Sequence, residues 1–154
     1  MAGNAEKKLA ELGIELPSAP APAANYVPFT IAGQLLTISG QIPLGPNGVE
    51  YVAKLGETAD VETGKAAARL CALNILAQAK AALGDLDRIK QVIKIQGFVN
   101  ATPDFTDHPE VVNGASDLLA DVLGDAGRHA RAAVGMSSLP RGVAVEVDAV
   151  IEFE

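Results

Sequence analysis

The sequence predicts a two-layer α+β sandwich, in which two main helices cover one face of a sheet. Three observations lead there. Strand and helix patterns follow one another as strands, helix, strand, helix, strand, strand. The final segment, "VAVEVDAVIE", alternates without a break: Val143, Val145, Val147, Ala149 and Ile151 share one face, and Ala144, Glu146, Asp148, Val150 and Glu152 share the other. The stretch from Asp60 to Leu83 carries an apolar stripe of small residues, suited to lying close on a sheet. A chain of 154 residues is the right size for one domain with a proper core, so 1–154 is read as a single unit.

Taken in order, "NAEKKLAELG" at 4–13 predicts a short amphipathic helix, with Leu9 and Leu12 three apart and Gly13 as its stop. Three prolines then interrupt "ELPSAPAPAAN", which reads as an extended linker on the surface. Residues 1–24 are therefore a helical and proline-rich extension. "YVPFTIA" and "QLLTISG" flank Gly33-Gln34 as a hairpin, and Gly45, Pro46, Asn47 and Gly48 mark a turn. In the long helix the expected core stripe is Ala66, Leu70, Leu73, Ala77 and Ala81, ended by Gly84. "IKQVIKIQGFVNA" is a strand with Ile93, Ile95, Gly97 and Val99 on one face and Lys94 and Gln96 on the other. A second helix begins near Pro109, with Val112, Leu119 and Val122 or Leu123 inward. Residues 131–136 and 143–153 are expected to close the chain as a hairpin. No internal repeat or low-complexity run interrupts this order.

Composition narrows function. Apolar residues make up 49% and charged residues 20%, an ordinary globular balance. A net charge of −7 and 4% aromatics, with no tryptophan, argue against nucleic acid, which needs basic surface and stacking platforms. A local basic patch of Arg128, His129, Arg131 and Arg141 remains open. The single cysteine, Cys71, excludes an internal disulfide and a cysteine-based zinc site, and within its alanine-rich helix it reads as a buried structural thiol. His108 and His129 have no spaced metal partner and read as surface residues. "MAGNAEKKLAELGIELP" has no apolar core or cleavage signature, and no run of about 18 apolar residues occurs, so the expectation is a cytoplasmic protein without a membrane span.

The acidic face of the last strand admits two readings. One is a solvated sheet face. The other is a site for a small anion, anchored by Arg131. The uncovered face of the sheet as a whole carries isoleucine and valine as well as acids, so burial against other subunits in a closed symmetric oligomer is expected.

Five segments together resemble the RidA family, also called YjgF or L-PSP endoribonuclease: "NYVPF", "LLTISGQIP" at 35–43, "VVNGASDLL" at 111–119, "ARAAV" at 130–134 and "LPRGVAVEVDAVIE" at 139–152. The resemblance spans nearly the whole chain, and the N-terminal extension marks a longer branch. It implies a chorismate-mutase-like α+β fold with a mostly antiparallel sheet. It further implies a homotrimer with a central β-barrel and clefts between subunits. The implied activity is metal-free hydrolysis of enamines and imines such as 2-aminoacrylate to 2-keto acids and ammonia, with no cofactor.

On that resemblance Arg131 binds the substrate carboxylate, its guanidinium offering a bidentate grip. Glu146 positions water and exchanges protons, and only the resemblance selects it over Asp148 and Glu152. Tyr26 covers the substrate, and Ser39 and Gly40 line the pocket with backbone. Asn113 is assigned to the site with a structural hydrogen bond. Ala133 stands where archetypal members carry cysteine, which bears on substrate preference. The competing readings are a keto-acid binding or regulatory protein without turnover and an endoribonuclease.

Overall fold

A computed structural model of the protein describes residues 3–154, so Met1 and Ala2 of the predicted extension lie outside the described residues. Helix α1 (Asn4–Glu11) opens the chain and buries Ala5 and Leu9, while Leu12 stays exposed. Its N-cap, Gly3, has no side chain to give. Asp87 takes over that role from far along the chain, accepting from the amides of Asn4 at 2.7 Å and Ala5 at 3.0 Å. These bonds hold the Asp87 carboxyl below the usual carboxylate range. The linker that follows has no regular structure and is held to the body where Gln78 Nε2 donates to the Pro20 carbonyl at 2.7 Å.

Strands β1 (Phe29–Ala32) and β2 (Leu35–Gln41) form the expected antiparallel hairpin about Gly33-Gln34. A small hairpin of β3 (Leu44–Gly45) and β4 (Gly48–Val49) follows, turning at Pro46-Asn47. Helix α2 (Val61–Leu83) starts at Asp60, whose carboxylate accepts from the Thr63 amide at 2.8 Å. Strand β5 (Ile89–Asn100), helix α3 (His108–Leu123), strand β6 (Ala130–Met136) and strand β7 (Val145–Phe153) complete the fold.

The main sheet has the order β1-β2-β7-β5-β6. All its pairings are antiparallel except β5 with β6. Helices α2 and α3 cover one face, giving the two-layer α+β sandwich with its core between the layers. The helices approach closely because Gly114 faces the Lys65 backbone, where an added Cβ would lie 2.1 Å from the Lys65 carbonyl oxygen.

Three packing expectations change. Residues 131–136 and 143–153 do not pair with each other: β5 lies between them, and β6 runs parallel to β5 after the α3 crossover. The buried face of α2 is Ala67, Ala68, Cys71, Ala72, Ile75, Leu76 and Ala79; of the predicted stripe only Ala77 is buried, and Ala81 is exposed. That helix is apolar almost all round, so periodicity does not select a side. Its outer leucines, Leu70 and Leu73, instead border a groove shared with Leu16 and Pro17 of the linker. On β5, the register slips between Val92 and Lys94, so Val92 turns inward and Ile93 outward, 40% exposed. Cys71 is fully buried, as expected, and burial pushes its thiol up.

Candidate functional site

Alternation along β7 sends Val145, Val147, Ala149 and Ile151 to the helices and Glu146, Asp148, Val150 and Glu152 to the open face. At the β2–β7 pairing, three steps of β2, from Ile38 to Gln41, match two of β7, from Ala149 to Val147. This bulge sets Gly40 against Glu146. A Cβ built on Gly40 would lie 2.9 Å from Glu146 Oε1, so glycine is what lets the carboxylate lie there.

A cavity of about 470 Å³ opens at this point. Gly40, Glu146 and Tyr26 line it, with Arg141 at the same wall and the linker residues Pro20 and Pro22 across from them. Tyr26 is 47% exposed, and its hydroxyl accepts from the Ala23 amide at 3.4 Å. Ser39 sits beside the cavity rather than in its wall. Its Oγ donates to the Val27 carbonyl at 2.7 Å and its amide to the Pro28 carbonyl at 2.9 Å, which ties down the segment bearing Tyr26. Glu146 is half-buried. Burial, and then the neighbouring Asp148 charge, push its carboxyl above the usual range. Burial also pushes Asp148 up, partly offset by the Gln96 amide donating to it at 3.2 Å and by the Lys94 charge.

Arg131 stands elsewhere. Its register partner on β5 is Ile95, which pairs in turn with the buried Ala149, whereas the partner of Glu146 is Phe98. Arg131 therefore lies on the helix side of the edge strand and Glu146 on the opposite face. Arg131 Nη1 donates to Ser116 Oγ at 3.1 Å, and Nη2 donates to the Pro109 carbonyl at 3.2 Å. Ser116 is bound in turn to His129 Nε2 at 2.9 Å, and His129 Nδ1 to the Gly127 carbonyl at 2.7 Å. A carbonyl only accepts, so Nδ1 carries the proton and Nε2 accepts from the Ser116 hydroxyl. Burial, with the Arg131 charge, holds His129 below its ordinary pKa, and that keeps this tautomer neutral.

The histidines are thus not surface residues. His129 is half-buried within this chain of bonds, and His108 is half-buried with its ring edge-on to Phe105 at 5.5 Å. The basic patch also disperses: Arg128 pairs with Asp125, Arg131 joins α3, and Arg141 faces the Glu146 cavity. Asn113 lies half-buried on α3, outside the cavity, and forms no side-chain hydrogen bond among the described residues. The pairing of Ser116 with His129 carried no signal in sequence, because residues 13 apart on a helix and at a strand entrance show no periodicity.

A family model described as "YjgF/chorismate_mutase-like, putative endoribonuclease" matches residues 6–149. Protein TCP17 of Trypanosoma cruzi is 51% identical over 98% of this chain and 95% of its own length. The crystal structure of Atu1372 from Agrobacterium tumefaciens, whose function is unknown, superposes with a TM-score of 0.92 at 52% identity, covering 98% of this chain and 94% of that one. A structure from Shewanella oneidensis, titled as a putative endoribonuclease, reaches a TM-score of 0.95 at 38% identity over 98% of this chain and all of that one. Among the described residues no helix is long and apolar enough to cross a membrane.

Proposed function

The chain belongs to the YjgF/chorismate-mutase-like family, and from that premise we propose that it is an enamine/imine deaminase, working as a cytoplasmic homotrimer. The observation that carries the reading is Glu146: a half-buried carboxyl, raised by burial, that lies against Gly40 in the wall of a cavity open to a substrate. A carboxyl poised nearer neutrality than usual both takes and returns a proton.

In the proposed reaction Glu146 accepts a proton from water as the water oxygen bonds to the imine carbon. The C=N pair moves to nitrogen, and Glu146 passes it the proton taken from water, giving the carbinolamine. Glu146 then takes the hydroxyl proton and hands it to the amine, the C–N bond breaks, and ammonia leaves as the carbonyl forms. Water supplies the oxygen, and nothing is oxidised or reduced. An enamine such as 2-aminoacrylate enters as its imine tautomer. Orientation and water placement suffice, since such imines already hydrolyse in water.

The carboxylate anchor is Arg131, and its place on the far face gives the trimer its role. In a closed head-to-tail ring, the edge strand β6 of one chain meets the open face of the next, so Arg131 of one copy serves Glu146 of another. The open face supports such a contact: Leu35 is 44% and Val134 41% exposed there. The net charge of −7 speaks against the ribonuclease reading that the family description carries.

Complementation tests the whole proposal. A dehydratase generates 2-aminoacrylate, and semicarbazide traps free imine. Arg131→Ala and Glu146→Gln should each slow clearance of the imine at least about tenfold. Co-refolded one to one, they should restore activity in about a quarter of the sites, those that draw both intact residues from different chains. No recovery with both variants trimeric removes the shared site, and a wild type that binds keto acids without clearing imine leaves the binding-protein reading.

A further inference from the structure

Arg141 is the one described cation in the wall of the Glu146 cavity, and its backbone is unusual. It holds φ 59°, ψ 15°, in the left-handed region that a non-glycine residue rarely adopts. The turn around it enforces this: Gly142 follows at φ 71°, and the Gly142 amide donates to the Leu139 carbonyl at 3.0 Å. Among the described residues the guanidinium has no ion pair and no hydrogen bond. Its charge is not used on Glu146 or on any other acid. Strain of this kind persists where the surroundings over-determine it and clusters at ligand sites.

The size of the cavity adds a second observation. A volume of about 470 Å³ lies in the range that holds ligands of tens of atoms. An imine such as 2-aminoacrylate has a handful of heavy atoms and leaves most of that space empty. A substrate that fills more of it extends from Glu146 along the wall where Arg141 is presented.

We propose that Arg141 is a specificity residue that grips a second anionic group, so that the preferred substrates are 2-imino acids with a side-chain carboxylate. The proposal rests on the deaminase reading for its reaction but not for its binding chemistry. The α-carboxylate goes to Arg131 of the neighbouring copy, the imine carbon to Glu146, and the distal carboxylate to the free fork of Arg141. A planar guanidinium with both faces of its fork unused is suited to that bidentate contact.

The test uses the intact protein and stable keto acids, 2-oxoglutarate against 2-oxobutanoate, in calorimetric titrations. Wild type should bind the dicarboxylate about ten- to hundredfold more tightly, the range of a charge-assisted hydrogen bond. Arg141→Gln should bring the ratio close to one, and Arg141→Lys should retain part of it. Thermal melts confirm that the variants fold. A wild-type ratio near one overturns the proposal, as does a ratio that survives Arg141→Gln. The semicarbazide assay is run in parallel on imines made by amino-acid oxidases from acidic and from aliphatic amino acids. If neither imine is cleared while the binding ratio behaves as stated, the deaminase reading fails and the Arg141 assignment stands.

Discussion

Along β7, Val145, Val147 and Ile151 have no exposed surface and Ala149 has 1%, while Glu146, Asp148, Val150 and Glu152, one step away, are half-exposed. The same backbone thus serves two purposes. The helix side supplies stability through close packing with α2 and α3. The open side carries acids whose charged forms are held at a cost. Glu146 and Asp148 both sit above the usual carboxylate range because burial disfavours their charge. A strand firmly anchored from behind can hold such groups in place in front.

The contrast predicts that substitutions one residue apart act on different observables. The largest expected effect is on the covered side. Ile151→Ala removes a fully buried side chain between sheet and helices, and chemical denaturation should show a loss of about 2–5 kcal/mol. Thr37, opposite Val150 on the open face, should tolerate alanine within about 0.5 kcal/mol in the isolated chain. Equal losses at the two sites would erase the distinction between the faces.

Next comes Glu146→Gln, which should lower imine hydrolysis about 10²- to 10⁴-fold without loss of stability. The sign follows from linkage. The folded carboxyl binds its proton more tightly than the unfolded one, so the folded state is favoured at low pH. That advantage falls as pH rises from the ordinary glutamate value, 4.5, through the raised folded value. Melts recorded across this window should decline with pH in the wild type and decline less in Glu146→Gln. A steeper decline in the variant would mean that the carboxylate is stabilised in the fold, contrary to its half-buried setting.

Much of the covered side was legible in sequence, and less of the open side. The alternation of β7 identified both of its faces because each is a local, period-two pattern. The hairpin at Gly33-Gln34 was legible for the same reason. The parallel β5–β6 pair was not, since it joins segments separated by the whole of α3 and nothing local distinguishes it from a terminal hairpin. The inward side of α2 was hidden by apolar residues on nearly every side, and the outward turn of Ile93 by a bulge that a strict period-two reading steps over. In the site, Tyr26, Gly40 and Glu146 were placed by resemblance and do meet around one cavity. Arg131 was also placed by resemblance, and it lies outside that cavity, because its face depends on strand register and its partners on tertiary packing.

Arg131→Ala should weaken keto-acid binding about ten- to hundredfold, corresponding to roughly 1.5–3 kcal/mol of charge-assisted hydrogen bonding. Arg131→Lys should recover only part of this, because an ammonium cannot form the planar fork. Calorimetry on both variants measures it, and equal affinities in all three proteins would remove Arg131 from the site.

The smallest effect is expected one bond further back, at Ser116. Its hydroxyl donates to His129 Nε2 and accepts from Arg131 Nη1, so it couples the arginine to a neutral histidine. Ser116→Ala removes one of two bonds that aim the guanidinium and leaves the Pro109 carbonyl. Binding should weaken by about 1 kcal/mol, roughly fivefold. The coupling also predicts a pH dependence. His129 is held below its ordinary pKa of 6.5, so its contribution to stability is complete above that value and is lost as pH falls through the lower folded value. Once protonated, Nε2 donates instead of accepting, the Ser116 hydroxyl must turn, and a second positive charge faces Arg131. Keto-acid affinity should therefore drop on acidification in the wild type. In Ser116→Ala it should start lower and drop less, because the link between the two groups is already cut. Parallel slopes in the two proteins would show that Arg131 is aimed without help from His129.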